Sequence, residues 1–223
     1  MNYNFRFNAL APYTGEILRG IGLTLQLTCL TMAIALVVGL FVALARMSDN
    51  RLLSGAAATY VEAIRNTPLL VQLFIVFFGL PSIGIRLDAY TAAVIGLSIN
   101  VGAYAGEILR AGIQSIRPSQ VEAGRALGMT AGQTFRSVVL FPAVKAIYPA
   151  LASQFVLLLL ATSVVSSLGA GELFHQAAFI DSRTYRSFEA YALITLTYLI
   201  LTLGFRALFA LVYWLVFVRR SRA

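Results

Sequence analysis

Charges are so sparse along this chain that the gaps between them define its architecture. Uncharged runs occupy residues 20–45, 66–85, 89–106 and 146–171, and a fifth run, 190–218, is interrupted only by Arg206. A helix rises 1.5 Å per residue, so about 20 residues cross a hydrocarbon layer of roughly 30 Å. The pattern therefore predicts five transmembrane helices. Residues 104–142 have a different texture, polar and basic, set between apolar runs. Within them Ser119 is followed three positions on by Glu122, and Thr130 by Gln133. Each pair has capping-box spacing, in which a hydroxyl and the facing carboxyl or amide satisfy orphan backbone donors. Two short helices are expected there, broken at Gly128-Met129, the second closed before Pro142. The fold expected is all-α and integral to a membrane. It forms one domain over residues 1–223, without internal repeat or long linker, and carries a cytoplasmic helical loop at 113–145.

Composition supports immersion in lipid. Of 223 residues 59% are hydrophobic and 12% charged, about half the charged share of a soluble domain. The basic residues set the orientation. With the N-terminus outside, Arg46, Arg51, Arg65, Arg110, Arg117, Arg125, Arg136, Lys145, Arg219, Arg220 and Arg222 fall inside, eleven against the five outer residues Arg6, Arg19, Arg86, Arg183 and Arg186. This bias places the C-terminus in the cytoplasm. It also accounts for the net charge of +8 without nucleic-acid binding. The first apolar run exceeds a signal-peptide core, and residues 1–19 read as a short outer lead-in.

Several chemistries have no residues to support them. The single lysine, Lys145, precedes Ala146, so no phosphate-binding Gly-Lys-Ser/Thr loop exists in this chain. One histidine, His175, excludes a two-histidine zinc motif, and no catalytic or metal residue is expected. No serine-nucleophile elbow occurs. Cys29 stands alone inside the first span, so it has no intrachain disulfide partner. The longest outer segment, about 169–189, is too short for a core of its own, and five helices are few to shelter a pathway. Capture of a solute and completion of a pathway both require partners.

Two stretches carry a family resemblance. Arg65-Asn66-Thr67-Pro68-Leu69-Leu70-Val71-Gln72 resembles a segment of permeases in the polar amino-acid uptake family of ABC importers, the histidine, glutamate and glutamine type. The polar insert resembles the cytoplasmic "EAA" loop of such permeases, with Glu122-Ala123-Gly124 in the motif and Gly128 at its glycine position. Tyr104-Ala105-Gly106-Glu107-Ile108, Leu127-Gly128-Met129 and residues 169–173 extend the likeness over most of 65–173. The resemblance implies a five-helix permease of the type I importer kind in a bacterial inner membrane, paired with a second copy or a sister permease. It further implies two ATP-binding-cassette ATPase subunits that supply ATP and Mg chemistry, this chain holding no cofactor. An extracytoplasmic protein would deliver the amino acid. ATPase coupling then falls to Glu122, Ala123, Gly124, Leu127, Gly128 and Met129, with Glu122 expected to cap its own helix. Leu140-Phe141-Pro142 departs from the family's Leu-Pro, and Gly124 replaces a better helix former at roughly 1 kcal/mol. Leu160-Ala161-Thr162-Ser163 keeps only the hydroxyl pair of a family Lys-(Asp/Asn/Ser)-Thr-Ser sequence.

Polar groups inside the spans are the candidates for substrate contact: Arg206, Glu107, Asn100, Thr162 and Ser163. Arg206 lies about 18 Å along a helix from Val218, too deep to snorkel, and is expected to face protein or a cavity and to pair with a carboxylate. Glu107 is one such partner, or it pairs locally with Arg110. The hydroxyls of Thr162, Ser163, Ser166 and Ser167 fit ordinary helix back-bonding as well as pathway lining. A guanidinium suits a substrate carboxylate, and the fourth span holds no acid, so an acidic or neutral polar amino acid is expected over a cationic one. An autonomous carrier or channel and a non-transporting scaffold are the competing classes.

Overall fold

A computed structural model describes residues 4–219, and all regular elements within that range are helical. A 3₁₀ turn at Phe7–Tyr13 leads into α1 (Thr14–Arg46). Then follow α2 (Arg51–Arg65), α3 (Leu69–Phe74), α4 (Ala89–Gln114), α5 (Pro118–Ala126), α6 (Ala131–Thr134), α7 (Phe141–Ala161), α8 (Leu173–Thr184) and α9 (Ser187–Tyr213). Four continuous helical stretches are long and apolar enough to cross a membrane: Phe7–Arg46, Ala89–Gln114, Ala131–Leu168 and Ser187–Val218. These contain the first, third and fifth expected spans, and the fourth as far as Leu168, where Gly169 in the left-handed region ends the helix short of residue 171. Arg220 and Arg222 of the inner basic group lie outside the described residues.

The second expected span takes a different form. Leu69–Ile83 reaches only about 22 Å at the helical rise, and it meets Arg51–Arg65 at a bend of 108°, so there is a fifth crossing only where this bent pair counts as one span. Asn50 caps α2 by accepting from the amides of Leu52 and Leu53. The bend is built by the Asn66-Thr67-Pro68 sequence. Pro68 is extended, with ψ 135°, and holds the preceding helix open. The Gln72 Nε2 group ties the corner together, donating to the Ile64 carbonyl at 2.8 Å, to the Thr67 carbonyl at 3.1 Å and to Thr67 Oγ1 at 2.8 Å.

The core forms where α1 crosses α4, with α3, α7 and the 3₁₀ segment Thr162–Leu168 packed around it. Small residues set that approach: a Cβ on Gly39 would lie 2.9 Å from the Gly106 amide nitrogen. In lipid, where apolar burial gives little net drive between helices, such close backbone contact is the attractive term. Leu27, Leu73, Leu97, Leu158 and Val165 fill the space between.

Two local expectations in the polar insert are corrected. Ser119 does not cap α5: Pro118 occupies the first helical turn and Arg117 is the cap residue without a side-chain bond. Proline's fixed φ starts the helix early and leaves Ser119, and with it Glu122, inside the helix. Nor does the second helix close before Pro142. It runs unbroken from Ala131 to Leu168 because the π segment Phe135–Leu140 widens the turn just ahead of the ring. A wider turn accommodates both the missing amide and the steric demand of proline.

Candidate coupling loop and translocation face

The polar insert is α5 and the beginning of the long helix Ala131–Leu168, meeting at a tip. Gly128, with φ 76°, ends α5 in the left-handed region, its amide donating to the Arg125 carbonyl at 2.9 Å while the Met129 amide donates to Gly124 at 3.2 Å. These two bonds are a Schellman closure, which glycine satisfies without backbone strain. Nothing lies within 4 Å of a Cβ built on Gly128, so conformation rather than close approach selects glycine there. The Thr130 capping box is complete: Thr130 Oγ1 accepts from the Gln133 amide, and Gln133 Oε1 from the Thr130 amide. Gly124 is buried, and a Cβ on it would meet Thr134 Cγ2 at 3.3 Å and Met129 Sδ at 3.5 Å. Its lost helix propensity therefore accompanies tight packing of α5 on the next helix. The tip exposes 82% of Leu127, flanked by exposed Glu122 and Ala123. Leu127 is thus an apolar side chain held out on a polar loop between two fixed helix ends.

Just above the loop, Glu107 joins two elements, α1 and its own α4. Its carboxylate accepts from Arg46 Nε at 3.2 Å and from Arg110 Nη2 at 2.7 Å. Arg110 also donates to Gln114. The pairing considered between Glu107 and Arg206 is absent, and Glu107 locks the end of α1 to α4.

Arg206 has no carboxylate within ion-pair distance among the described residues. It is exposed on α9 in a cavity of about 550 Å³ lined on the α7 side by Tyr148, Pro149 and Ser153. Further along the same face of α9, Thr195, Tyr198 and Thr202 line a second cavity of about 390 Å³, with Ser163 of the Thr162–Leu168 segment also on its wall. The other polar candidates all make hydrogen bonds within the protein. Asn100 Nδ2 donates to Gln72 Oε1 at 2.9 Å, joining the corner below α3. Thr162 is buried with its hydroxyl on the Leu159 carbonyl, and Ser163, Ser166 and Ser167 also donate back along the helix.

A carboxylate not singled out from sequence sits behind the second cavity. Glu172, fully buried, caps α8 by accepting from the Phe174 and His175 amides, each at 2.8 Å, and from the Tyr198 hydroxyl at 2.7 Å. Thr24 Oγ1 accepts from the adjacent Leu173 amide at 3.1 Å, which ties this cap to α1. Burial raises the Glu172 carboxyl above its ordinary value, opposed by those hydrogen bonds. An acid directly before an apolar run was the available signal.

The family of binding-protein-dependent transport system inner membrane components matches residues 35–217. The chain belongs to that family. It is a permease subunit of the amino-acid ABC importer type, which decides against the carrier and scaffold classes. It is 44% identical over 164 residues to the L-cystine transport system permease protein TcyB of Bacillus subtilis, covering 74% of this chain and 70% of that one. It is 35% identical to the arginine transport system permease protein ArtQ of the same organism, covering 90% and 92%. Among solved structures, the crystal structure of an amino acid ABC transporter with histidines superposes with a TM-score of 0.88 at 42% identity, covering 95% of this chain and 99% of that one.

Proposed function

We propose that this permease forms half of an amino-acid pathway, closed by a second copy or a sister permease, and that two ATP-binding-cassette ATPase subunits drive it by gripping the α5 tip. ATP and Mg belong to those partners. Glu122, Ala123, Gly124, Leu127, Gly128 and Met129 make the grip: the glycines fix the shape, and Leu127 is the knob that enters the ATPase surface. The observation that carries this reading is Leu127, 82% exposed between two independently capped helices. The N-terminus faces outside and the C-terminus the cytoplasm of a bacterial inner membrane, and an extracytoplasmic binding protein presents the substrate near α8.

The amino acid is neutral polar or acidic. Arg206 receives its carboxylate, Ser163 and the neighbouring hydroxyls its polar groups. The cavities lined by these residues include no acidic side chain to balance a cationic substrate, and cystine, named for the relative TcyB, fits this class. Cysteine labels at exposed Ser182 and Ser119, after Cys29 is replaced, test the orientation. The expected outcome is reaction from outside and inside respectively, and reaction of both from one side contradicts it. Competition for uptake by the twenty amino acids tests the class, and dominant competition by arginine or lysine contradicts it.

A further inference from the structure

Phe141 and Tyr148 contact Phe217 across the seam between α7 and the last helix, with ring centroids 5.6 Å apart in each case. Arg206 and Ser153 line a cavity further along that seam. Around Phe217 the seam opens into a separate groove of about 670 Å³, lined by Arg136, Leu140, Phe141, Val144, Lys145 and Phe217. Both walls are π segments, Phe135–Leu140 and Trp214–Val218, and such widened turns concentrate at functional sites.

The groove is chemically divided. Arg136 and Lys145 supply two cations with no ion pair among the described residues. Leu140, Phe141, Val144, Val216 and Phe217 supply an apolar wall. Lys145 directly precedes the uncharged run of the fourth span, and Arg219 directly follows the apolar end of the last helix. The groove thus lies at a membrane boundary, with Leu140, Phe141 and Val144 between the two cations and with Val216 and Phe217 on the apolar side of Arg219. Basic pockets between transmembrane helices on this side of a bilayer recognise anionic headgroups.

We propose that this groove holds one anionic glycerophospholipid of the inner leaflet, its phosphodiester reached by Arg136 and Lys145 from the two ends of the groove and an acyl chain along Val216 and Phe217. The lipid would brace the helix that leads from the Thr130 capping box into the membrane. The inference rests on the orientation proposed above for the choice of leaflet alone, and binding is read without transport.

The test is native mass spectrometry of the purified, assembled complex, exchanged into equal amounts of phosphatidylglycerol and phosphatidylcholine. Selective retention of phosphatidylglycerol is expected. Arg136→Gln and Lys145→Gln should each weaken it about fivefold, and together on the order of thirtyfold. Val144→Trp, which fills the groove and leaves the charges, should reduce retention of the lipid while the complex stays assembled. Equal phosphatidylglycerol retention by the double variant overturns the proposal. So does full displacement by soluble glycerol 3-phosphate, which would make the site one for free phosphate esters. A disulfide between two copies of a Val144→Cys variant in native membranes would show a second copy covering the groove, and overturns it as well.

Discussion

The amide of Met129 donates to the carbonyl of Gly124 at 3.2 Å, and the Met129 sulfur lies against the same glycine. One residue is therefore used twice, as the acceptor that closes α5 and as the gap into which the next helix packs. Gly128→Ala forces a side chain into the left-handed region at a cost of roughly 1–2 kcal/mol, with no clash to add. The expected outcome is a permease that still inserts but retains less ATPase on purification. Gly128→Asn, better tolerated at positive φ, should recover part of that retention.

Glu107 is expected to act through structure. Glu107→Gln leaves Arg46 and Arg110, both partly buried, without their carboxylate. Charge-assisted bonds contribute about 1.5–3 kcal/mol, so thermal unfolding in detergent should shift downward by an energy of that order. A double-mutant cycle with Arg46→Met should give coupling of the same sign. Unchanged stability with reduced uptake would instead assign Glu107 to substrate.

The corner at Pro68 is expected to depend on Gln72. Gln72→Leu removes the bonds to Ile64, Thr67 and Asn100, and at about 0.5–1.5 kcal/mol each the loss should exceed that of Asn100→Ala. Uptake per assembled transporter should fall little in Asn100→Ala. A selective loss of uptake there, with normal assembly, would return Asn100 to the pathway.

Glu172 gives a pH dependence whose sign follows from its raised carboxyl. The folded protein holds this proton more tightly than the unfolded chain, so folding stability from this group is greatest below the ordinary carboxylate value of about 4.3. It is lost as pH rises through the higher folded value. Glu172→Gln should flatten that part of the stability curve measured by thermal unfolding between mildly acid and neutral pH. An unchanged slope in the variant would assign the pH dependence to other groups.

The spans were legible because lipid imposes a strong rule, the exclusion of charge, and runs such as 89–106 obey it. The same rule hid α2, whose Arg51, Glu62 and Arg65 break the uncharged run. Its signal was local, in the Asn50 cap. Thr130 was read correctly because nothing competes with its side chain for the cap position, whereas beside Ser119 the ring of Pro118 starts the helix first. Pro142 misled because a terminator in a regular helix is tolerated behind a π turn, and nothing in the spacing announced that turn. Arg206 and Glu107 were the hardest. Whether charges far apart in sequence meet is decided by how α1, α4 and α9 pack, and Glu107 found Arg46 at the end of α1.

The central claim is that Leu127 couples this permease to ATP hydrolysis in a partner. The direct measurement is ATP hydrolysis by the assembled complex in proteoliposomes, with and without amino-acid-loaded binding protein, for the native chain and for Leu127→Asp. The account predicts strong stimulation of the native complex by one loaded amino acid, and in the variant a lost stimulation with the permease still folded in the membrane. Equal stimulation of both complexes would contradict it.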